Sequence, residues 1–245
     1  VLNISKKYNL TVIEDAAEVH GAKYLSNRNT KDSKWLTCGG IGHISTFSFF
    51  ANKLITTGEG GMILTSNAEF AKKSRELRNL CFMPERRFKH ENIGYNFRLT
   101  NLQAAIGVSQ IKRIEEIVKK KREIGKYYQD KLKKFDGVIL QEQKSWSRSV
   151  FWVNGLLLDK SIRCSAEKFC EELKSLGVET RPFFYGMHSQ PVYKHRYDFD
   201  ETKYTISRNL TERGFYLPSG LTLKKSDVDT IIEKFELVWE KYYAL

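Results

Sequence analysis

The sequence is poor in metal-ligating side chains. Its 245 residues hold five histidines and four cysteines, Cys38, Cys81, Cys164 and Cys170, and no two of these cysteines are spaced as CxxC. A histidine-rich metal centre and a structural zinc site are therefore not expected. Scattered cysteines, with no secretory signal in the opening residues, point to a reducing compartment, the cytoplasm, and to small buried or half-buried thiols. No apolar run reaches the roughly 18 residues of a membrane-spanning helix, so a spanning protein is not expected. The phosphate-cradling patterns GxGxxG and Walker A are missing too, and neither an internal repeat nor a low-complexity tract is visible.

What is present is the make-up of a globular chain. Hydrophobic residues amount to 41%, enough for a sizeable core and for two packed units. Lysine and arginine number 41 against 29 aspartate and glutamate, a formal charge of +12 that favours an anionic partner. The most basic stretch, residues 112–134, interleaves acids with its lysines and reads as a solvated helix face. A phosphorylated small molecule is thus expected as partner in preference to nucleic acid.

Periodicity and turn chemistry predict an α/β pattern. A helix runs through Tyr8, Asn9 turns the chain, and LTVIED (10–15) forms a strand. GHISTFSFF (42–50) passes from alternating to wholly apolar, as an interior strand of a parallel sheet does. GGMILTS (60–66) is a further strand, and Asn67 caps a helix with Phe70, Leu77 and Leu80 among its apolar positions. The polar, turn-rich segment 24–40 is expected to be an exposed loop, as is 81–98. Thr100, with Gln103 in the capping-box position, opens a helix of about 30 residues, kinked near Gly125. Its inner face is Leu102, Ala105, Ile106, Ser109, Gln110, Arg113, Ile114 and Ile117. After a turn at 135–137 come a strand (149–159), a helix opened by Ser165 or Cys164 and closed by Gly177, a strand in VETRPF (178–183), and a last helix, VDTIIEKFELVWEKYYA, capped by Ser226 with Asp229. The expected domains are 1–135, ending in the long connecting helix, and a smaller α/β domain over 136–245.

Reactive groups in open α/β sheets gather beyond the carboxyl ends of strands. Glu14 and Asp15 end the first strand, and Lys53 lies just beyond FSFF. An amine-transfer enzyme using pyridoxal phosphate needs a lysine to form an imine with the cofactor, a carboxylate to keep the pyridine nitrogen protonated, and donors for the phosphate. Lys53, Asp15 and Ser48 supply that set, and Ala17 is small enough to leave a flat face for the ring. Each has a plainer reading: Lys53 as a solvated charge, Asp15 as the N-cap of the turn that follows, Ala17 as a helix former. The glycines of GEGG (58–61) either permit a turn or pack beside a cofactor. Glu18 and His20 either polarise the ring oxygen or touch substrate, or are satisfied locally.

Four stretches, VIEDAAEVHGA (12–22), GHISTFSFFANKLITTGEGGMI (42–63), IGYNFRLTNLQAAIGVSQI (93–111) and TRPFFYGMHSQPVY (180–193), together resemble the DegT-type family of pyridoxal-phosphate sugar aminotransferases over nearly the whole chain. The resemblance implies an α/β, aspartate-aminotransferase-like fold (fold type I), of which residues 1–135 are the C-terminal part of the large domain and 136–245 the small domain. It implies pyridoxal 5'-phosphate as cofactor, no metal, and transamination of a nucleotide-linked 4-keto-6-deoxy sugar in polysaccharide or O-antigen biosynthesis, GDP-4-keto-6-deoxymannose foremost, with glutamate as donor. A 3-keto or a dTDP- or UDP-linked sugar is the alternative, as is a truncated remnant or partner subunit. By the same resemblance Lys53 matches the Schiff-base lysine, where dehydratase relatives carry histidine; Asp15 pairs with the pyridine nitrogen, Glu18 lies near the ring hydroxyl, and Ser48 holds the phosphate. Asn96 and Arg98 belong to a loop that reaches the neighbouring subunit's cofactor, which implies a homodimer. Arg86, Arg87, Phe88 and His90, and the stretch from Arg181 to His188, fall near the nucleotide sugar; in the plainer reading the arginines are solvated and His188 caps a turn. Family members carry a further N-terminal third with additional strands, so LTVIED is expected to lack sheet partners and the cofactor to lack some contacts.

Overall fold

Residues 1–28, 30–83 and 85–243 are described by a computed structural model; Asn29 and Pro84 of the two predicted loops, and Ala244 of the predicted last helix, lie outside them. In chain order the elements are α1 (Leu2–Tyr8), β1 (Ile13–Asp15), β2 (Lys23–Ser26), β3 (Lys34–Thr37), β4 (Ile44–Ser48), β5 (Gly61–Thr65), α2 (Ala68–Arg78), α3 (Asn101–Ile111) and α4 (Ile114–Leu132). There follow β6 (Val138–Leu140), β7 (Ser147–Arg148), β8 (Asn154–Leu158), α5 (Ala166–Ser175), β9 (Arg181–Pro182), α6 (Pro191–Lys194), α7 (Thr205–Arg213), β10 (Gly214–Leu217) and α8 (Lys225–Tyr242). They divide into one unit of Val1–Lys119 with Gln143–Trp152 and another of Lys120–Glu142 with Val153–Leu245.

In the first unit α1 ends where Asn9 adopts φ 51, a left-handed cap that asparagine tolerates. β1 pairs in parallel with β4, so LTVIED has a partner along one edge after all, though only its last three residues are strand. β4 is interior as expected, in the order β1-β4-β5. The sheet is mixed, however, because β5 returns antiparallel through a loop with no crossover helix. Segment 24–40 is not a plain loop: β2 and β3 pair antiparallel, and β7 adds a third strand. The hairpin is held by side chains the turn-rich composition hid, with Tyr24 opposite Leu36, Leu25 opposite Trp35, and the Arg148 guanidinium 4.0 Å from the Trp35 ring centre.

Asn67 caps α2 through bonds from the Glu69 and Phe70 amides, whereas Leu80 lies beyond the helix at φ 61. Thr100 and Gln103 form the expected capping box of α3. The long helix breaks at Lys112–Arg113, where the Arg113 amide turns to the Gln110 carbonyl, and α4 then passes Gly125 without interruption. The predicted inner face of α3 is also corrected: Leu102 is 81% exposed, and Ile106 faces solvent too. Gln103 and Gln110 point inward instead, because their amides bond to the backbone of Glu59 and Thr56. The core here joins Ala22, Phe49, Leu54, Ile55, Ile117 and Val150.

The second unit is an antiparallel sheet, β6-β8-β10-β9. Its larger core gathers Tyr128 and Leu132 of α4, Leu156 and Leu158 of β8, Phe169 and Leu173 of α5, Phe215 of β10, and Ile232 and Phe235 of α8. The strand expected over 149–159 is confined to β8, and that in VETRPF to β9. Ser165 caps α5, and Gly177 follows it at φ 83. The last helix begins earlier than expected: Asp227 accepts the Lys224 amide at 2.8 Å, while Ser226 lies inside the helix and Asp229 takes the Tyr127 hydroxyl and the Lys131 ammonium. The basic run of α4 is not wholly solvated either, since Lys121 is buried and donates to the Ser219 carbonyl. Among the described residues no helix is long and apolar enough to cross a membrane, and no three His, Cys, Asp or Glu side chains are grouped to hold a metal.

Candidate active site

Register places two of the predicted site residues on one face. Asp15 is the Cα partner of Thr46 in the parallel β1–β4 ladder, and side chains two apart share a face, so Asp15 and Ser48 project from the same side of the sheet at the carboxyl ends of adjacent parallel strands. Glu14, Ser45 and Phe47 take the opposite side. There the Glu14 carboxylate accepts the amides of Gly39 (2.8 Å), Ile41 (2.6 Å) and Gly42. That tie draws the chain between β3 and β4 under the strand ends. Burial and the Glu14 charge raise the pKa of the neighbouring Cys38 thiol.

Asp15 also accepts the Ala17 amide at 3.1 Å, so it does cap the turn that follows β1. One carboxylate oxygen serves that bond, and the exposed side chain keeps the other available. The turn carries half-buried Ala17 and Glu18 toward the segment after β4. Glu18 Oε1 lies 2.7 Å from Lys53 Nζ, and the Lys53 side chain is only 12% exposed. Lys53 is therefore not the solvated charge of the plainer reading. Its ammonium also stands 4.4 Å from the centre of the Trp152 ring, and the Trp152 indole donates to the Asn52 carbonyl at 2.8 Å.

The loop bearing Lys53 is closed on itself. Phe49 takes the Thr57 amide and the Thr56 hydroxyl on its carbonyl, and its own amide donates to Gly60. Gln110 of α3 spans Thr56 with two bonds, at 3.0 and 2.9 Å. The glycine patch divides its work: Gly58, φ 79, serves a turn in open space, whereas a side chain on Gly60 would meet Thr57 and Leu99 at 2.6 and 2.8 Å. His20 is buried against Phe47 and Phe49.

Other predicted residues form separate groups. Arg98 donates to Asn96 (2.8 Å) and Asn79 (3.4 Å), beside an isolated Asn79–Asn96 bridge. His90 donates through Nδ1 to the Leu80 carbonyl at 2.7 Å and leans on Phe82, with Arg87 over Phe82 and Phe88. Arg86 is exposed. In the second unit, Arg181 pairs with Glu179 and lines a cleft of about 480 Å³ with Cys170, Tyr185 and Glu212. His188 does not cap a turn with its ring: it is buried and stacks on Tyr204, centroids 4.4 Å apart. Sequence reasoning missed Glu14 as a loop anchor and Trp152 as the wall beside Lys53; the second carries no local signal, being about a hundred positions away along the chain.

The profile of the DegT/DnrJ/EryC1/StrS aminotransferase family matches residues 1–236, and the chain belongs to that family. Among curated relatives, GDP-perosamine synthase of Caulobacter vibrioides is 35% identical over 239 residues, covering 97% of this chain and 61% of that protein. GDP-perosamine synthase of Escherichia coli O157:H7 is 36% identical over 236 residues, covering 95% of this chain and 59% of that one. The chain thus spans about three fifths of the length of these curated relatives. Among solved structures, a DegT DnrJ EryC1 StrS aminotransferase from Brucella abortus superposes with a TM-score of 0.79 at 25% identity, covering 96% of this chain and 59% of that one. PseC of Helicobacter pylori gives 0.84 at 23% identity, covering 99% and 63%. The fold is accordingly that of the type I aminotransferases, α/β in architecture.

Proposed function

We propose that this chain carries the pyridoxal-phosphate chemistry of a sugar-nucleotide aminotransferase. It transfers an amino group from glutamate to a nucleotide-linked 4-keto-6-deoxy sugar, with GDP-4-keto-6-deoxymannose as acceptor and GDP-perosamine as product. The observation that carries the reading is the Lys53–Glu18 pair, a sheltered amine 2.7 Å from a carboxylate at the end where Asp15 and Ser48 share one face. This donor set fits a cofactor that combines an aldehyde, a basic ring nitrogen and a phosphate. When bound, the cofactor supplies an electron sink for breaking and making bonds to hydrogen at the amine-bearing carbon.

The chain's own residues do the rest. Lys53 offers the nucleophilic amine and afterwards holds the proton that moves between carbons. Glu18 orients that amine before the reaction, and Trp152 keeps water from one side of it. Asp15, with one oxygen held by Ala17, presents the other as a counter-charge that keeps a ring nitrogen protonated. Ser48 Oγ donates to phosphate, while Ala17 leaves room above a planar ring. Asn96 and Arg98 are assigned to the site of a second copy of the chain, and Arg86, Arg87, His90, Arg181 and His188 to the nucleotide sugar, with the basic charge of the chain favouring its diphosphate. The perosamine product rests on the names of relatives at 33–36% identity.

The test is incubation of the full chain with pyridoxal phosphate, borohydride reduction and peptide mass spectrometry, beside Lys53→Ala. A stable pyridoxyl group on Lys53, absent from the variant, is expected, followed by amino-sugar formation from glutamate and the GDP-linked keto sugar. A folded chain that acquires no such group sinks the reading; a group acquired without conversion of the GDP sugar, but with conversion of a dTDP- or UDP-linked one, sinks only the choice of substrate.

A further inference from the structure

His20 ends the turn that carries Asp15, Ala17 and Glu18. It is 4% exposed, with its ring packed against Phe47 (centroids 5.4 Å apart) and Phe49 (5.8 Å). Neither ring nitrogen has a hydrogen-bond partner. A buried imidazole normally has one, because leaving such a group unsatisfied costs about 1–3 kcal/mol. Local satisfaction, the plain expectation for this histidine, does not hold. Two charged groups bear on it. Lys53, from the loop after β4, opposes its protonation, and Glu18, from its own turn, holds that same ammonium at 2.7 Å. Phe47 and Phe49 bring no charge. Burial first, and Lys53 second, push the imidazole below the usual histidine range.

We propose that His20 is a positioning residue for Lys53: an uncharged imidazole, packed against Phe47 and Phe49, whose protonation and that of the Lys53 amine oppose each other, so that a neutral His20 keeps the Lys53–Glu18 pair in place. Linkage makes the effect reciprocal. Whatever the Lys53 charge subtracts from the proton affinity of His20, a charge on His20 subtracts from that of Lys53. A proton on His20 in acid sets a second cation beside the ammonium, competes for Glu18 and frees the amine from its place. The functional meaning rests on the reading of Lys53 as the amine that captures a carbonyl cofactor. The coupling itself belongs to the cofactor-free chain.

Titration of the full chain by NMR, with histidine labelled in 15N, no cofactor present and His20→Gln used to identify the signals, tests the coupling directly. In Lys53→Met the His20 midpoint is expected to rise by about half a pH unit or more. In Glu18→Gln, which leaves the ammonium uncompensated, it is expected to fall. The same midpoint in wild type and both variants overturns the proposal. Capture of pyridoxal phosphate provides the second readout: its loss toward acid pH is expected to be steeper in wild type than in His20→Gln, and identical profiles count against the proposal. A wild-type chain that captures none removes the proposed function, while the NMR comparison still decides the coupling.

Discussion

Two buried side chains make opposite demands on pH. Tyr128 is fully buried with no partner for its hydroxyl, and burial, then the Asp227 charge, raise its pKa above the usual tyrosine range. Tyr128→Phe removes an unsatisfied group without opening a large void, so it is expected to stabilise the chain by about 1 kcal/mol in urea unfolding near neutral pH. Lys121 is buried as well, and burial pushes its pKa down to about 8. A base with a lower pKa folded than unfolded favours the unfolded chain once charged, so stability rises with pH from about 8 toward the ordinary lysine value and is lost again as pH falls through about 8. Lys121→Met is expected to flatten that rise and to add roughly 2–3 kcal/mol at neutral pH, offset in part by the lost bond to Ser219. Unfolding free energies between pH 7 and about 9.5 check this, below the range where Tyr128 acts with the opposite sign.

At the scale of elements, the loop between β8 and α5 depends on one side chain from the end of α7. The Arg213 guanidinium donates to the carbonyls of Leu158 (2.8 Å), Asp159, Ile162 (2.9 Å) and Cys164. Four carbonyls on one planar donor fix the turn that connects strand to helix, and a lysine cannot reproduce that fork. Arg213→Lys is expected to cost about 2–3 kcal/mol and Arg213→Ala more, read as lowered unfolding midpoints with the helical far-ultraviolet signal kept in the cold. Caps were legible at this scale because they are local. Asn67, Thr100 with Gln103, and Ser165 each bond within three residues of themselves. The β2–β3 hairpin and the inward glutamines of α3 were not legible, since their partners come from other segments.

For the whole molecule, the two units differ in how much apolar surface they close over. The core of the second gathers most of the fully buried aromatic and aliphatic residues, while the first relies on a small cluster and leaves apolar Met62, Ile63 and Leu64 of β5 in solvent. Apolar burial is the main source of stability, so the second unit is expected to be the more stable of the two. Hydrogen exchange checks this: amides of β8 and β10 should exchange slowest, and those of β1 and β5 faster by at least about tenfold, equivalent to roughly 1.4 kcal/mol. Equal protection in both sheets would count against it.

By itself, the order of motifs in the sequence determined the family, the α/β class, most helix starts and the candidacy of Lys53, Asp15, Glu18 and Ser48, because these are matters of local spacing and residue chemistry. Only the tertiary structure decided that Lys53 meets Glu18, that Trp152 lies beside it, that His20 is buried with no partner and that Lys121 leaves the solvated face of its helix. Each of these depends on which distant segments pack together. Burial and cross-chain contact arise when chain segments far apart in sequence share a core, and periodicity within one segment does not encode its neighbour.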